Sequence, residues 1–228
     1  MRQGKIGAAL AVLALSSSIH AQPSPTPAAI EPLIECRVVG DAAKRTLSVD
    51  IAWPSGLKPR FPRDDSGVLT ARFIAPVGDS KTPPVPIDSD PEWASACERD
   101  GCRLTYSVDV ARGIATDKRG DWGFEEKQRI VMAPLVRWLV RPEDRRARGR
   151  LRVDFQGGKN FELVSGVMDG KVNHIETDLV VMDGPHVVLG EFTHRAIDMP
   201  GGRIDVALGQ GERGVRDEDL LAWIREGA

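Results

Sequence analysis

The sequence predicts a mainly β protein, an antiparallel β-sandwich-like domain that ends in one short C-terminal helix. The first observation behind this prediction is a repeated alternation of apolar and polar side chains with a period of two, which is typical of strands with one buried face. The second is the frequency of turn-forming residues, with 23 glycines and 16 prolines in 228 residues. Many short strands separated by glycine and proline indicate a sandwich or a barrel.

The alternation is clearest in four segments, residues 46–53, 102–110, 151–155 and 204–208. In the first of them every second residue is a large apolar one, from Leu47 to Trp53. Less regular apolar runs, which should add further strands, lie at residues 68–74, 129–140, 161–167, 178–182 and 186–192. Residues 76–96 carry five prolines and are expected to form a long surface loop.

The one clear helix is predicted at residues 217–228. Asp217, Glu218 and Asp219 place negative charge at its start, where the helix dipole is positive. Its apolar face is made by Leu220, Leu221, Trp223 and Ile224. Since a helix this short is not stable alone in water, that face must be covered. Either it folds back on the sheet and buries Trp223, or it meets another chain and leaves Trp223 exposed in the monomer.

The chain is expected to start with a secretory signal peptide, residues 1–21. Arg2 and Lys5 precede an apolar run, and Ala21 offers a cleavage site, so the mature protein should begin at Gln22. The apolar run is far shorter than the ~20 residues that a bilayer needs, so no membrane span is expected after cleavage. These features predict a periplasmic or secreted protein.

The mature chain divides into three predicted parts. Residues 22–32 contain four prolines and should form an extended linker. Residues 33–216 should form the β-sandwich-like domain, and residues 217–228 the amphipathic helix. An attached lipid at Cys36 is not expected, because Glu35 precedes it and the linker separates it from the signal.

Cys97 and Cys102 are predicted to form a disulfide. They enclose an Asp-Gly turn signal, which should place them on facing strand positions with Cα atoms about 4.5–5.5 Å apart. A metal site would need further Cys or His ligands nearby, and an oxidising compartment lets a disulfide persist. Cys36 then remains as a buried thiol, unless it pairs with one of the other two cysteines.

Charge argues against binding to nucleic acid. The formal charge of −2 becomes −4 without Arg2 and Lys5, so the mature chain has no global attraction to polyanions. Residues 137–152 depart from this balance, with seven arginines against Glu143 and Asp144. This segment predicts either a docking patch for an acidic partner or a solvated loop followed by the outer face of a strand. The second is favoured, because basic runs often only keep surfaces soluble.

No catalytic motif or cofactor-binding motif is present, so neither catalytic residues nor cofactors are assigned. The mature chain keeps His174, His186 and His194 as candidate zinc ligands, since ligands need only converge in space. The sequence favours polar residues beside turns, because no two of the three share a face spacing and no His-Glu-x-x-His occurs. Glu191, His194 and Asp198 suggest acid–base chemistry, but Glu191 and His194 would point to opposite faces of a strand.

Five short motifs follow one another along residues 104–228. They are Leu104-Thr-Tyr-Ser-Val108, Pro134-Leu-Val-Arg-Trp138-Leu-Val-Arg-Pro142, Gly190-Glu-Phe192, Gly201-Gly-Arg-Ile-Asp-Val206 and Leu221-Ala-Trp223-Ile224. In this order they resemble the non-catalytic β domain that precedes the catalytic domain of M1/M61-type zinc metallopeptidases. In that family the closing helix leads into the peptidase domain, and the zinc-binding helix would lie beyond residue 228. The resemblance therefore implies a free-standing relative of the accessory domain or a shortened peptidase, with no catalytic residue carried over.

The function expected from the sequence is binding or scaffolding by an exported domain without catalysis of its own. A protein partner or a second copy should meet the C-terminal helix, and Trp223 should be exposed in the monomer. The alternative is a hydrolase whose site assembles from scattered His, Asp and Glu residues. Clustering of His174, His186 and His194 with a carboxylate would favour the enzyme, and an exposed apolar or basic patch would favour binding.

Overall fold

A computed structural model describes most of the chain from residue 31 onward. The described residues are 31–63, 67–77, 83–117, 122–125, 130–158, 160–166, 172–180, 186–200, 202–211 and 214–227. The predicted signal peptide and almost all of the predicted linker lie outside them. Among the described residues, none of the helices has the length and apolar character that crossing a bilayer requires.

Strands dominate the described part of the chain, which confirms the predicted fold class. The strands are β1 (Leu33–Asp41), β2 (Thr46–Trp53), β3 (Pro59–Arg60), β4 (Leu69–Ala75), β5 (Val85–Pro86), β6 (Cys102–Asp109), β7 (Gly123–Glu125), β8 (Ile130–Pro134), β9 (Arg141–Pro142), β10 (Arg150–Gln156), β11 (Glu162–Ser165), β12 (His174–Asp178), β13 (His186–Gly190), β14 (Phe192–Met199) and β15 (Gly202–Gly209). The helices are α1 (Trp93–Asp100), α2 (Val110–Thr116), α3 (Leu135–Trp138) and α4 (Asp217–Gly227).

The largest element is a seven-stranded sheet in the order β12-β10-β1-β2-β6-β4-β5. In β2 the predicted alternation is confirmed, because Leu47, Val49, Ile51 and Trp53 are all buried. β1 follows the same pattern with Ile34, Cys36 and Val38. The described neighbours pair antiparallel except β1 and β10, which run parallel. The predicted antiparallel pairing therefore holds for all of these neighbours except this one, because alternation shows which face of a strand is buried and not which strand lies beside it.

A four-stranded sheet in the order β11-β13-β8-β7 supplies the second layer. The buried faces of both sheets contribute to one core: Ile34, Leu104 and Leu151 come from the larger sheet, and Ala133, Leu163 and Leu189 come from the smaller one. Two further pairs, β14 with β15 and β3 with β9, stand outside these sheets. The layered core is what makes the domain sandwich-like.

Helix α1 lies where the sequence predicted the end of a surface loop and a turn between cysteines. Trp93 and Cys97 stand one helical turn apart and therefore share a face, on which Cys97 is buried. The Trp93 ring packs 5.5 Å from the Phe61 ring. Eight residues carry too little periodic signal to distinguish such a helix from a loop. Its tertiary contacts decide the conformation.

Two other sequence expectations fail at strand boundaries. Val110 was expected to close the strand β6, but it begins α2, because the Asp109 side chain accepts a hydrogen bond from the Arg112 backbone N–H and caps the helix. The run at 178–182 was expected to form a strand, but β12 ends at Asp178 and residues 179–180 form a helical turn, while residues 181 and 182 lie outside the described part of the chain. In the first case the sequence did offer a signal, because aspartate is one of the preferred N-cap residues of a helix.

Candidate functional site

The basic segment 137–152 divides into two groups that face different parts of the molecule. Arg150 and Arg152 belong to β10 and pair with carboxylates on the strands beside it. Arg150 lies 2.7 Å from Glu176, and Arg152 lies 3.1 Å from Glu35. These two arginines therefore form part of the outer face of the large sheet, as the second of the two sequence interpretations expected.

A second row of charges crosses the same outer face. The strand register places Arg37 between Asp50 and Asp154. Arg103 donates two hydrogen bonds to Asp50, at 2.8 and 2.5 Å, and His174 lies 2.7 Å from Asp154. Exposed ion pairs each contribute only roughly 0–1 kcal/mol to stability. The main role of these charges is therefore to keep the outer face of the sheet solvated. It offers no excess of one charge to a ligand.

Three other arginines of the segment, Arg137, Arg141 and Arg145, line a cleft of about 650 Å³. Its described lining consists of Arg60, Arg63, Arg137, Arg141 and Arg145 together with Pro62 and Val136. Arg60 and Arg141 face each other directly in the short β3–β9 pair. Five guanidinium groups thus surround one cleft, and we call this set the arginine cleft.

Helix α3 and the residues after it fix one wall of the arginine cleft. Leu135 and Trp138 are fully buried, whereas Arg137 between them is half-buried and lines the cleft. The Tyr106 hydroxyl donates a hydrogen bond to the Trp138 carbonyl oxygen at 2.9 Å and accepts one from the Val140 N–H at 3.3 Å. Burial raises the pKa of Tyr106 well above its usual value, so this hydroxyl keeps its proton.

The two carboxylates of the basic segment are engaged beside the cleft. Glu143 lies 2.8 Å from the Lys58 ammonium. The hydrogen bond between them and the attraction of their opposite charges lower the pKa of Glu143 and raise the pKa of Lys58. The Asp144 carboxylate accepts the Arg146 backbone N–H at 2.8 Å. The arginines Arg137, Arg141 and Arg145 also take part in further interactions within the chain.

The three candidate zinc ligands lie on three different strands. His174 on β12 contacts Asp154, His194 on β14 contacts Glu162 at 2.7 Å, and His186 is exposed at the start of β13. In the ranges that the structure describes, no three His, Cys, Asp or Glu side chains are grouped to hold a metal ion. The structure thus gives the zinc hypothesis no assembled site.

The suggested acid–base group of Glu191, His194 and Asp198 is not assembled either. The partner of the His194 ring is Glu162 on β11, which belongs to another sheet, while the Glu191 backbone carbonyl accepts the Gln210 N–H at 2.8 Å. Asp198 is exposed further along β14. The hydrolase alternative therefore has no constellation to rest on in the described part of the chain.

Cys97 and Cys102 lie at disulfide distance, with their Cα atoms 5.0 Å apart. The expected setting is corrected, because Cys97 belongs to α1 and not to a strand facing Cys102. Gly101 ends that helix with φ +75°, and a Cβ there would lie 3.0 Å from the Trp53 carbonyl oxygen. Cys36 is a buried free thiol in β1, and burial raises its pKa far above the usual range.

Helix α4 presents an apolar side chain to solvent. No residue of α4 is buried, and 71 % of Trp223 is exposed. Leu220, Leu221 and Ile224 are half-buried. Of the two arrangements open from the sequence, the described chain has the one in which Trp223 is not covered by its own sheet.

Comparison with known proteins adds a likeness of architecture. No family model and no curated protein matches the chain. The crystal structure of an aminopeptidase N family protein from Idiomarina loihiensis matches with a TM-score of 0.51 and 11% sequence identity. The likeness is one of fold. It covers 83% of this chain and 34% of that one, so the chain spans about a third of that protein's length. The matched share is larger than the residues 104–228 that carry the sequence resemblance.

Proposed function

We propose that this protein is a non-catalytic β domain that acts by binding, and that it assembles with a second copy of itself through α4. The observation that carries the proposal is the Trp223 side chain of α4, which is 71 % exposed. Tryptophan is enriched at protein–protein interfaces, where it supplies much of the binding energy. The fold likeness to an aminopeptidase N family protein supports a relation to an accessory domain of such proteins.

The charges of α4 lie away from Trp223. Glu218 and Arg225 are both exposed and stand seven residues apart, so they lie on one side of the helix. That side is about 140–160° from Trp223 at 3.6 residues per turn, so neither charge stands in a contact made through Trp223. Asp219 is already paired with Arg216 at 2.8 Å. A two-fold contact between two copies would therefore centre on the Trp223 side chain of each.

Sedimentation velocity over a wide concentration range tests the assembly. The wild-type protein should pass from monomer to dimer, and Trp223→Ala should weaken the dimer by at least about 100-fold. Two Trp223 side chains leave water in the dimer, each worth about 1.5–3 kcal/mol. Val180→Ala is the matched control, because Val180 is 63 % exposed but lies outside α4. A wild-type protein that stays monomeric throughout would refute the second copy.

Two charge variants test the location of the contact. Glu218→Ala and Arg225→Ala should each leave the dimer unchanged, because both side chains lie on the side of α4 away from Trp223. Loss of the dimer in either variant would contradict a contact centred on Trp223.

The same variants separate association from folding. Because most of Trp223 is in water, Trp223→Ala should change the free energy of unfolding of the monomer by less than about 0.5 kcal/mol. A loss of several kcal/mol in a monomeric protein would mean that α4 packs on its own sheet, and would remove the basis of the proposal.

A further inference from the structure

A second cleft, of about 520 Å³, lies where the turn between β1 and β2 meets the four-stranded sheet. Its volume falls within the roughly 300–1,000 Å³ that is typical of ligand pockets. We call it the aromatic cleft. The lining residues that matter here come from the β1–β2 turn, β7, β8, β13 and the segment before β11, and they are Arg45, Phe124, Val131, Phe161, Gly190 and Glu191.

The apolar walls of the aromatic cleft are held in place by the core. Val131 is buried, and Phe124 and Phe161 are half-buried and pack against the core. The Phe161 ring stands edge-on to the Phe155 ring, with 5.7 Å between their centroids. A Cβ at Gly40 would lie 2.6 Å from the Phe161 ring, so only glycine leaves room for that ring. Fixed aromatic walls favour a flat apolar ring as the ligand body, because aromatic rings attract one another edge to face or offset.

One end of the aromatic cleft carries a positive charge. The Arg45 guanidinium lies over the Phe124 ring, 4.4 Å from its centroid. In the part of the chain that the structure describes, this guanidinium has no hydrogen bond and no ion pair. The backbone beneath it is fixed, since the Arg45 carbonyl oxygen accepts the Val110 N–H at 3.0 Å. A guanidinium over a ring keeps its N–H groups available at its edge, where a carboxylate pairs with two of them.

The other end of the aromatic cleft carries a negative charge. Glu191 is half-buried, and its carboxylate has no hydrogen bond and no ion pair with any described residue. Its backbone carbonyl oxygen accepts the Gln210 N–H at 2.8 Å, which fixes its position in the chain. A carboxylate only accepts hydrogen bonds, so this end favours an O–H or N–H donor.

The strand register sets the span between the two ends. Phe124 pairs with Val131, and Val131 pairs with Leu189, two residues before Glu191. The strand β7 beneath Arg45 and the strand β13, which Glu191 follows directly, are therefore two strand spacings apart, or about 10 Å. A benzene ring with polar groups at its two opposite ends suits such a span.

We infer that the aromatic cleft binds a small aromatic carboxylate that carries a hydroxyl at the opposite end of its ring. The carboxylate pairs with Arg45, the ring lies between Phe124 and Phe161, and the hydroxyl donates to the Glu191 carboxylate. The reverse orientation would place two carboxylates against each other. A purely apolar compound would cover both charges and satisfy neither.

A nuclear magnetic resonance titration of the mature chain with 4-hydroxybenzoate tests the inference. We expect saturable binding at one site per chain, with shifts of the Phe161 and Gly190 amide signals. Benzoate lacks the hydroxyl and 4-hydroxybenzyl alcohol lacks the charge, so each should bind at least about tenfold more weakly. No saturable binding of 4-hydroxybenzoate, or equal affinity for all three compounds, would overturn the inference.

A pair of variants in the β1–β2 turn tests the positive end. Arg45→Gln should weaken 4-hydroxybenzoate at least about tenfold, because the carboxylate loses its partner. Lys44→Gln is the matched control, since Lys44 is exposed in the same turn, pairs with Asp41 at 3.2 Å and does not line the cleft. It removes the same charge and should leave the affinity unchanged. An equal loss in both variants would show a general charge effect and refute the site.

Variants of Glu191 test the other end by comparing two ligands. In Glu191→Ala, 4-hydroxybenzoate and benzoate should bind within about twofold of each other, because the hydroxyl has lost its acceptor. Glu191→Gln keeps the size of the side chain and one acceptor oxygen, so the preference for 4-hydroxybenzoate should fall but not vanish. Thermal melts should show that each variant is folded. A full preference that persists in both variants would place the hydroxyl elsewhere and overturn the inference.

Discussion

Removing the Tyr106 hydroxyl should destabilise the protein and loosen one wall of the arginine cleft. The change is Tyr106→Phe, which keeps the ring and its packing against Phe61, whose centroid lies 5.2 Å away. It deletes the donor to the Trp138 carbonyl oxygen and the acceptor of the Val140 N–H, both in the buried core. Those two backbone groups would then lack partners.

The expected loss follows from these two bonds. An unsatisfied buried polar group costs about 1–3 kcal/mol, and the bond to Val140 is the weaker because it measures 3.3 Å. Part of the cost is offset, since the hydroxyl itself no longer has to leave water. A net loss of about 2 kcal/mol results, and in a chain of this size it corresponds to a fall in Tm of roughly 4–8 °C.

Urea and thermal melts of the purified chain measure this loss. Ser89→Ala is the control, because the Ser89 hydroxyl donates to the Pro86 carbonyl oxygen but is exposed, and its removal should cost less than about 0.5 kcal/mol. A loss within 0.5 kcal/mol, equal to the control, would refute the view that this hydroxyl holds the wall.

Three further predictions concern other buried groups. Trp53→Phe should cost roughly 1–3 kcal/mol more than Trp138→Phe in denaturant melts. The reason is that the Trp53 Nε1–H donates to the Leu57 carbonyl oxygen at 2.6 Å, whereas the buried Trp138 Nε1 has no hydrogen-bond partner among the described residues; equal losses would contradict this. Burial raises the pKa of the Cys36 thiol above its value in the unfolded chain. Its contribution to stability should therefore be complete below about pH 8.5 and be lost as pH rises further, which lowers Tm. Cys36→Ala should make this fall in Tm with pH smaller. Cys97 and Cys102 should resist alkylation until reduced, as read by intact mass, and reduction should cost about 2 kcal/mol; alkylation of both without reduction would refute the bridge.

Local patterns in the sequence predicted the faces of strands but not their partners. The alternation in β2 and β10 identified buried side chains because burial has a period of two on any strand. It could not place β1 beside β10, since that pairing depends on contacts between residues about 117 positions apart. Helix α1 was missed for a related reason, because Trp93 and Cys97 become a buried face only when the core forms next to them.

The candidate site was half visible in the sequence. Arg137, Arg141 and Arg145 were singled out as a basic segment, and their spacing is compatible with one shared surface. Arg60 and Arg63 carried no signal, because only the two-residue β3–β9 pair brings them to the same cleft. The three histidines show the converse case, in which residues of the right type are kept apart by the sheets that hold them.

The parallel pairing of β1 with β10 has a consequence for how the molecule folds. β1 lies in the middle of the seven-stranded sheet, yet one of its two neighbours comes more than a hundred residues later in the chain. The hairpin of β1 and β2 can form early. The backbone groups on the other edge of β1 stay unpaired until β10 has been synthesised and pairs with them. Non-local pairing of this kind slows folding, and an open edge on a partly folded chain invites pairing with other chains. The large sheet should therefore be completed late in folding and in one cooperative step, and any change that delays the pairing of β10 with β1 should slow it.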